Sequence, residues 1–343
     1  MRLLLGFLGA TVVALAAIAA LNWWVDPFGQ FAKPSAVRAL ESRPSCLISR
    51  ELDGNAQLPF KLALAQSRPT RTVALGTSRV ATIRPWPNER GFTNLAVLDA
   101  HPSDLLWLAR RLPATPRLTL YVGVEAYWFN PHSGHHDFAP GWHDDLRYLI
   151  SWSTLTESLH LLRGDPSALT KRWTYADVNG HCVIGHGLTG DHAWRADGTF
   201  VWRDQLDSPP QPVPTVTMQQ IRDSYFARYT GFAQQPLRDL ASLLELARAR
   251  HWTVVGFATP YPASFVPGFV ADPQIAARWH QFGIVVPALF RRNGAAFLDL
   301  RNAARIPCTQ SEFVDGGFHA DQTCAMRIRR RLDAAAARER SGG

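Results

Sequence analysis

The chain has 343 residues, 46% of them apolar, with 36 Lys plus Arg against 28 Asp plus Glu and a formal net charge of +8. These figures exclude a disordered tail, a small disulfide-stapled knot and a polytopic membrane protein, and leave room for two domains or one elaborated α/β domain. Only Lys33, Lys61 and Lys171 are lysines; the arginines are interleaved with Asp, Ala and Leu, so the charge forms no stripe suited to nucleic acid.

Residues 3–21, LLLGFLGATVVALAAIAAL, carry no charge and would cover about 28 Å as a helix, close to the hydrocarbon thickness of a bilayer. Trp23 and Trp24 follow and suit an interfacial belt. Residues 1–25 are therefore expected to be a single-pass anchor in the inner (cytoplasmic) membrane. With Arg2 inside, the rest of the chain is periplasmic or otherwise extracytoplasmic, although Lys33 and Arg38 weaken the charge asymmetry. A cleaved signal peptide is the rival, since Ala17, Ile18 and Ala19 form a small-x-small site, but the apolar stretch exceeds the usual signal core. Cys46, Cys182, Cys308 and Cys324 are even in number and form no CxxC pair, as in an oxidising compartment. Pairing of Cys308 with Cys324 is favoured because that short loop encloses a Gly-rich segment bearing Asp and His; Cys46 and Cys182 are then free or paired.

Residues 26–70 read as a Pro-containing tether and lead-in. Beyond them, apolar strands at 71–75, 92–97, 118–123, 252–259 and 295–300 alternate with helical periodicity over 103–112, 237–250, 273–292 and 321–338. This alternation predicts an α/β domain over 71–343 with a mainly parallel sheet covered on both faces, in three layers. Between about 130 and 214 the pattern gives way to a stretch rich in His, Trp, Gly and Asp, read as an inserted cap. It contains a helix near 144–162 and a hairpin over 195–202 that turns at Ala196, Asp197 and Gly198. SPPQPVP at 208–214 closes it as a rigid linker. Following a strand end, this insertion belongs beside the ligand crevice of an open parallel sheet.

Gly76, Thr77, Ser78 and Arg79 come directly after the first strand. A serine there is exposed at the sheet's carboxyl edge, the glycine allows a tight turn, and nearby backbone N–H groups can stabilise an oxyanion. An ordinary turn with a helix N-cap has the same local pattern. Near the other end, VDGGFHAD at 314–321 places Asp315 and His319 on one Gly-rich loop. There His319 can take a proton from a nucleophile while Asp315 orients the imidazole. Singly these are ordinary loop and capping residues; with Ser78 they complete a nucleophile, a base and an orienting acid.

The motifs LGTSR at 75–79, TNLA at 93–96, YVGVEAYWF at 121–129, ADGTF at 196–200, ATPYP at 258–262 and VDGGFHA at 314–320, with VDPFG at 25–29 after the apolar helix, span nearly the whole chain. In order and spacing they resemble the SGNH, or GDSL-like, hydrolases. More narrowly they resemble the membrane-anchored extracytoplasmic branch of D-alanyl transfer and alginate O-acetylation proteins. The resemblance implies a flavodoxin-like α/β/α fold, catalysis by Ser78, His319 and Asp315, and oxyanion or substrate-binding roles for Gly76, Arg79, Asn94, Asp99 and Glu125. The chain also departs from the family pattern. Three residues rather than two separate Asp315 from His319, so either the loop bulges at Gly316 and Gly317 or Glu312 supplies the acid. Asp99 stands where an oxyanion glycine is usual and would offer its backbone N–H. Val124 and Glu125 replace the family's Asn, as in the acyl-transfer branch. Arg79 is read either as a structural ion-pair partner or as a ligand for an anionic substrate.

His132, His135 and His136, beside His143, lack the helix or cysteine signature of a metal site and are expected to form a polar loop. His181, His186 and His192 are read the same way. Trp142, Trp152, Trp173, Trp194 and Trp202 are expected as core aromatics, with stacking on sugar faces as the other reading. The expected activity is a serine esterase or O-acyltransferase acting on a cell-envelope glycan, with no metal or diffusible cofactor. Its partners are the glycan, an acyl donor and, as the resemblance implies, a membrane-bound acyltransferase that presents the donor; nucleic acid is not among them. The alternative is a catalytically silent scaffold that binds polysaccharide or a membrane partner, which a long Ser78–His319 distance would favour.

Overall fold

The computed structural model describes residues 2–26, 31, 47–48, 54–113, 115, 117–133, 138, 142–164, 175–178, 181–184, 192–202 and 215–342. Among these, ten strands form two sheets. Strands β1 (Leu47–Ile48), β5 (Tyr175–Val178), β6 (His181–Ile184), β7 (His192–Arg195) and β8 (Phe200–Trp202) make a mixed sheet in the order β5-β6-β1-β7-β8. The other sheet contains β2 (Thr72–Leu75), β3 (Phe92–Asn94), β4 (Thr119–Val124), β9 (Thr253–Ala258) and β10 (Ala296–Asp299). Its order is β10-β9-β4-β2-β3 and every pairing is parallel.

The parallel sheet is buried on both sides, which is why its central strands are apolar runs rather than alternating ones. All six residues of β4 are buried. Leu120, Val122 and Val124 enter one hydrophobic core while Tyr121 enters another; along β9, Val254 and Ala258 join the first and Val255 and Phe257 the second. Helices Pro102–Arg111, Gln234–Ala249 and Pro273–Arg292 supply Leu105, Leu243 and Phe290 to the first core, and the last helix, Gln322–Gly342, supplies Ile328 and Leu332 to the second. Each such side chain contributes about 1.5–3 kcal/mol when fully buried. The strand order reverses beside β2: the chain steps to β3 on one side, then returns to β4 on the other. The crevice at the carboxyl ends of such neighbouring strands is where open parallel sheets hold ligands. Residues 76–79 and Glu125 emerge there.

Several boundaries differ from those expected. The second strand of this sheet stops at Asn94 because the Asn94 Oδ1 accepts the Ala96 N–H at 2.9 Å and turns the chain. The helix expected near 144–162 is two helices, Trp142–Ile150 and Trp152–Gly164, broken at Ser151, whose hydroxyl accepts the Thr154 N–H. Within the supposed lead-in lies a helix, Gly54–Ser67. Leu58, Phe60, Lys61, Ala63, Leu64 and Ala65 are all buried along it, so it lacks the one-sided apolar stripe that reveals a helix in sequence. The hairpin is present as β7 and β8, paired antiparallel around residues 196–199. Cys308 and Cys324 are disulfide-bonded with Cα atoms 5.3 Å apart, which stakes the 309–323 loop to the start of the last helix. Cys46 lies outside the described residues, as do the 208–214 linker and most of the tether. At the N-terminus, Arg2–Val25 forms one helix, long and apolar enough to cross a membrane.

Candidate active site

Ser78 and His319 lie 241 residues apart in sequence, yet the Ser78 Oγ stands 2.8 Å from the His319 Nε2. The His319 Nδ1 stands 2.7 Å from the Asp315 Oδ2. The other carboxylate oxygen, Oδ1, accepts backbone N–H groups from Gly317 at 3.2 Å, Phe318 at 2.8 Å and His319 at 2.9 Å. Burial alone would raise the Asp315 pKa; the His319 hydrogen bond and charge, with the backbone donors, outweigh it and bring the value to about 2. Asp315 is therefore ionised at neutral pH and can only accept, which assigns the imidazole proton to Nδ1. Nε2 of the neutral ring then accepts from the Ser78 hydroxyl.

The loop that carries acid and base closes on itself. The Val314 N–H donates to the His319 carbonyl at 2.9 Å, and Phe313 bridges Ala320. Gly316 absorbs the extra residue at φ +75°, a left-handed conformation that suits glycine. Glu312, the alternative acid, points elsewhere: it accepts from Arg327 at 2.5 Å and from the Thr309 N–H at 2.8 Å. On the serine side, a Cβ at Gly76 would come within 2.3 Å of the Val80 side chain, so the turn after β2 requires glycine for this close approach.

Arg79 and Glu125 are buried against each other, which is the ion-pair reading of Arg79 rather than the anionic-substrate one. Arg79 donates from Nη1 to the Glu125 Oε2 at 2.6 Å, from Nε to the Phe318 carbonyl at 3.0 Å, and from Nη2 to the Pro260 carbonyl. Its guanidinium also lies over the Tyr261 ring at 3.9 Å and the Phe318 ring at 4.5 Å. Glu125, with no exposed surface, also accepts from the Thr77 and Thr259 hydroxyls. Burial alone would lower the Arg79 pKa, but the Glu125 carboxylate, helped by Tyr261 and Tyr127, moves it up. The pair thus braces Ser78's neighbour against the residue preceding His319. Thr82 adds a second tie, donating to the Ala320 carbonyl at 3.1 Å.

Asn94 likewise has no amide to offer an oxyanion. Its Nδ2 donates to the carbonyls of Val80, Ala81 and Ile83 at 3.0, 3.1 and 2.8 Å, and clasps the turn that follows Ser78. Against this clasp sits the 195–199 turn: the Asn94 N–H donates to the Asp197 carbonyl, and a Cβ on Gly198 would meet the Asn94 carbonyl oxygen at 2.1 Å. Lys61 joins the two, donating to the carbonyls of Gly198 at 2.6 Å and Asn94 at 3.2 Å. Desolvation lowers its pKa to about 7, with Asp197 opposing. Asp99 is exposed at φ +56°, a backbone conformation that glycine prefers and Asp tolerates. Burial first, then the charges of Asp99 and Glu125, push the Tyr225 phenol up. Tyr225 stacks on Phe318 at 5.2 Å.

No protein-family model matches the chain, and no curated protein matches it. The site therefore rests on its own geometry. Trp202, at the end of the hairpin, packs its ring 4.8 Å from the His319 ring, and Phe318 lies 5.0 Å away on another side. Trp194 is buried against Phe60 and Phe200 as a core residue, whereas Trp152 is 78% exposed. Trp173, His135, His136 and His186 lie outside the described residues, as do the side chains of Trp142, His181 and His192. Among the described residues no group of three or more His, Cys, Asp or Glu is placed to hold a metal ion. Thr77, Thr259, Tyr261 and Lys61 were not singled out from sequence. The first three lie inside quoted motifs, but nothing in a linear pattern pairs a threonine with a glutamate 48 residues away.

Proposed function

We propose that the chain is a membrane-anchored, extracytoplasmic serine esterase or O-acyltransferase of SGNH type acting on a cell-envelope glycan. The observation that carries this reading is the continuous relay from the Ser78 hydroxyl through His319 to an ionised Asp315. As Ser78 Oγ attacks an ester carbonyl, its proton passes to the His319 Nε2 and Asp315 stabilises the imidazolium. The leaving alcohol takes that proton, leaving an acyl-serine. A sugar hydroxyl, or water, then gives its proton to Nε2 as it attacks, and the acyl group departs as a new ester or an acid while Ser78 is reprotonated. With Arg79 and Asn94 engaged elsewhere, the oxyanion would rest on backbone N–H groups beside Ser78.

Further support comes from the motifs, which meet in space. LGTSR, YVGVEAYWF, ATPYP and VDGGFHA share the Arg79–Glu125 network, and TNLA meets ADGTF at Gly198. A sheet with a separate core on each face fits the three-layer arrangement, and a hairpin ring beside His319 fits residues 130–214 as an inserted cap. The apolar first helix fits an inner-membrane anchor that holds the enzyme near an acyl donor presented by a membrane partner. A silent scaffold would be favoured by a wide gap between Ser78 and His319, and 2.8 Å gives it no such support. The test is mass spectrometry of the full-length chain after reaction with an activated ester. An acyl adduct on Ser78 is expected; turnover without one, or undiminished in Ser78→Ala, overturns the reading.

A further inference from the structure

The helices Trp142–Ile150 and Trp152–Gly164 pack against only one end of the apolar N-terminal helix. Along that helix Ile18, Ala19 and Leu21 are half-buried and Asn22, Val25 and Asp26 buried, while almost every residue before them is exposed. The contacts are polar and specific. The Asn22 Nδ2 donates to the Leu149 carbonyl at 2.8 Å, its Oδ1 accepts the Ser158 hydroxyl at 2.9 Å, and the Asp26 Oδ1 accepts the Tyr148 hydroxyl at 2.9 Å. A polar residue within an apolar span needs such partners, and their position fixes the two helices at the level where the span would leave the bilayer. On the side turned away from these contacts, the pair exposes large apolar side chains: Leu146 at 47%, Ile150 at 43%, Trp152 at 78% and Leu159 at 36%. Leu146 and Ile150 are one turn apart, as are Thr154 and Ser158, which are buried on the opposite side of the second helix from Trp152 and Leu159. Trp23 and Trp24, about half exposed, flank the same junction.

We infer that these two helices form a collar that lies in the lipid interface around the exit of the span, with Leu146, Ile150, Trp152 and Leu159 in the headgroup–acyl boundary. The inference rests on the proposed anchor. It follows from continuity: side chains hydrogen-bonded to the last turns of a membrane span stay within a few ångströms of the bilayer, and amphipathic interfacial helices bury their apolar face about 5–10 Å into it. Exposed Arg147 and Arg163 beside these residues suit lipid phosphates. Unlike a bare tether, the collar fixes the orientation of residues 142–164 relative to the membrane.

The test is hydroxyl-radical footprinting of the full-length chain in nanodiscs of phosphatidylcholine with a minority of phosphatidylglycerol. Oxidation at each residue is normalised to its intrinsic reactivity and read by mass spectrometry. Ile150, Trp152 and Leu146 are expected to oxidise about tenfold less than Val270 and Ile284, whose exposures of 47% and 57% are comparable. Oxidation of the collar residues at the level of Ile284, with Val12 and Val13 still protected, overturns the collar and leaves the anchor standing. Oxidation of Val12 and Val13 as well overturns the anchor and the collar together. Protection confined to discs that hold two chains overturns the lipid assignment in favour of contact between copies.

Discussion

Two buried arginines sit toward opposite ends of the same parallel sheet and work under different conditions. Arg79, at the carboxyl ends, pairs with a carboxylate that is itself sealed: side-chain exposures are 1% and 0%. Arg329 lies against the starts of the strands, over Phe92 at 4.4 Å and Tyr121 at 5.2 Å, and is 2% exposed. Its partners Glu89, at 2.7 Å, and Asp333, at 2.9 Å, are 21% and 33% exposed and so reach water. Asp333 also accepts from the Tyr121 hydroxyl and the Trp86 indole, fastening the last helix to the sheet. The difference teaches what each brace is for. Arg329 joins helix to sheet through two acids that reach water, whereas Arg79 joins the two chain segments that carry the proposed chemistry through a single sealed one.

The widest break in this comparison separates chemistry from both braces. Ser78→Ala or His319→Ala should lower acyl turnover by about 10⁴-fold or more while thermal melting stays near that of the parent chain. Asp315→Asn should cost on the order of 10⁴-fold, because the amide favours the wrong imidazole tautomer, and Glu312→Gln should leave turnover essentially unchanged. If the Glu312 variant is the damaged one, the acid has been misassigned. The braces themselves are compared by denaturant midpoints. Glu125→Ala strands a buried guanidinium and should cost about 3–5 kcal/mol, while Glu89→Ala leaves Arg329 with Asp333 and should cost about 1–2 kcal/mol. Turnover per folded molecule should fall only in the Glu125 variant; an equal fall in both would erase the distinction.

Lys61 sharpens the comparison from a third direction, as a buried amine held by carbonyls rather than carboxylates. Its folded pKa of about 7 lies below the 10.5 of the unfolded chain, so between those values the unfolded state binds more protons. Its contribution is present above pH 10.5 and is lost as pH falls toward 7. Stability of the parent should therefore rise with pH across this window, by about 1 kcal/mol per unit at most, and Lys61→Met should flatten the rise. Unfolding midpoints at successive pH values decide it.

The strands of the parallel sheet were legible because burial on both faces leaves apolar runs bounded by turn residues, and Ser78, Asp315 and His319 because they sit on two glycine-bearing turns. Arg79, Glu125 and Asn94 were legible as special positions but not in their roles. A charged or amide side chain looks the same in sequence whether it meets a ligand or a carbonyl 14 or 181 residues away. The helix Gly54–Ser67 was hidden for the opposite reason: enclosed on most sides, it carries no periodic signal.

The separation of 241 positions between Ser78 and His319 also sets an order of assembly. A chain made from its N-terminus presents the serine early, while the hairpin that packs beside the Asn94 clasp comes about a hundred residues later and the base arrives only with the final segment. Such long-range closure is slow and comes late in folding. On the proposed reading, until the last helix has been synthesised and the 308–324 loop drawn in, the Ser78 hydroxyl lacks its His319 partner, so a nascent or C-terminally clipped chain would hold an inert serine. Competence to acylate, as proposed, would then belong only to chains folded through the helix Gln322–Gly342.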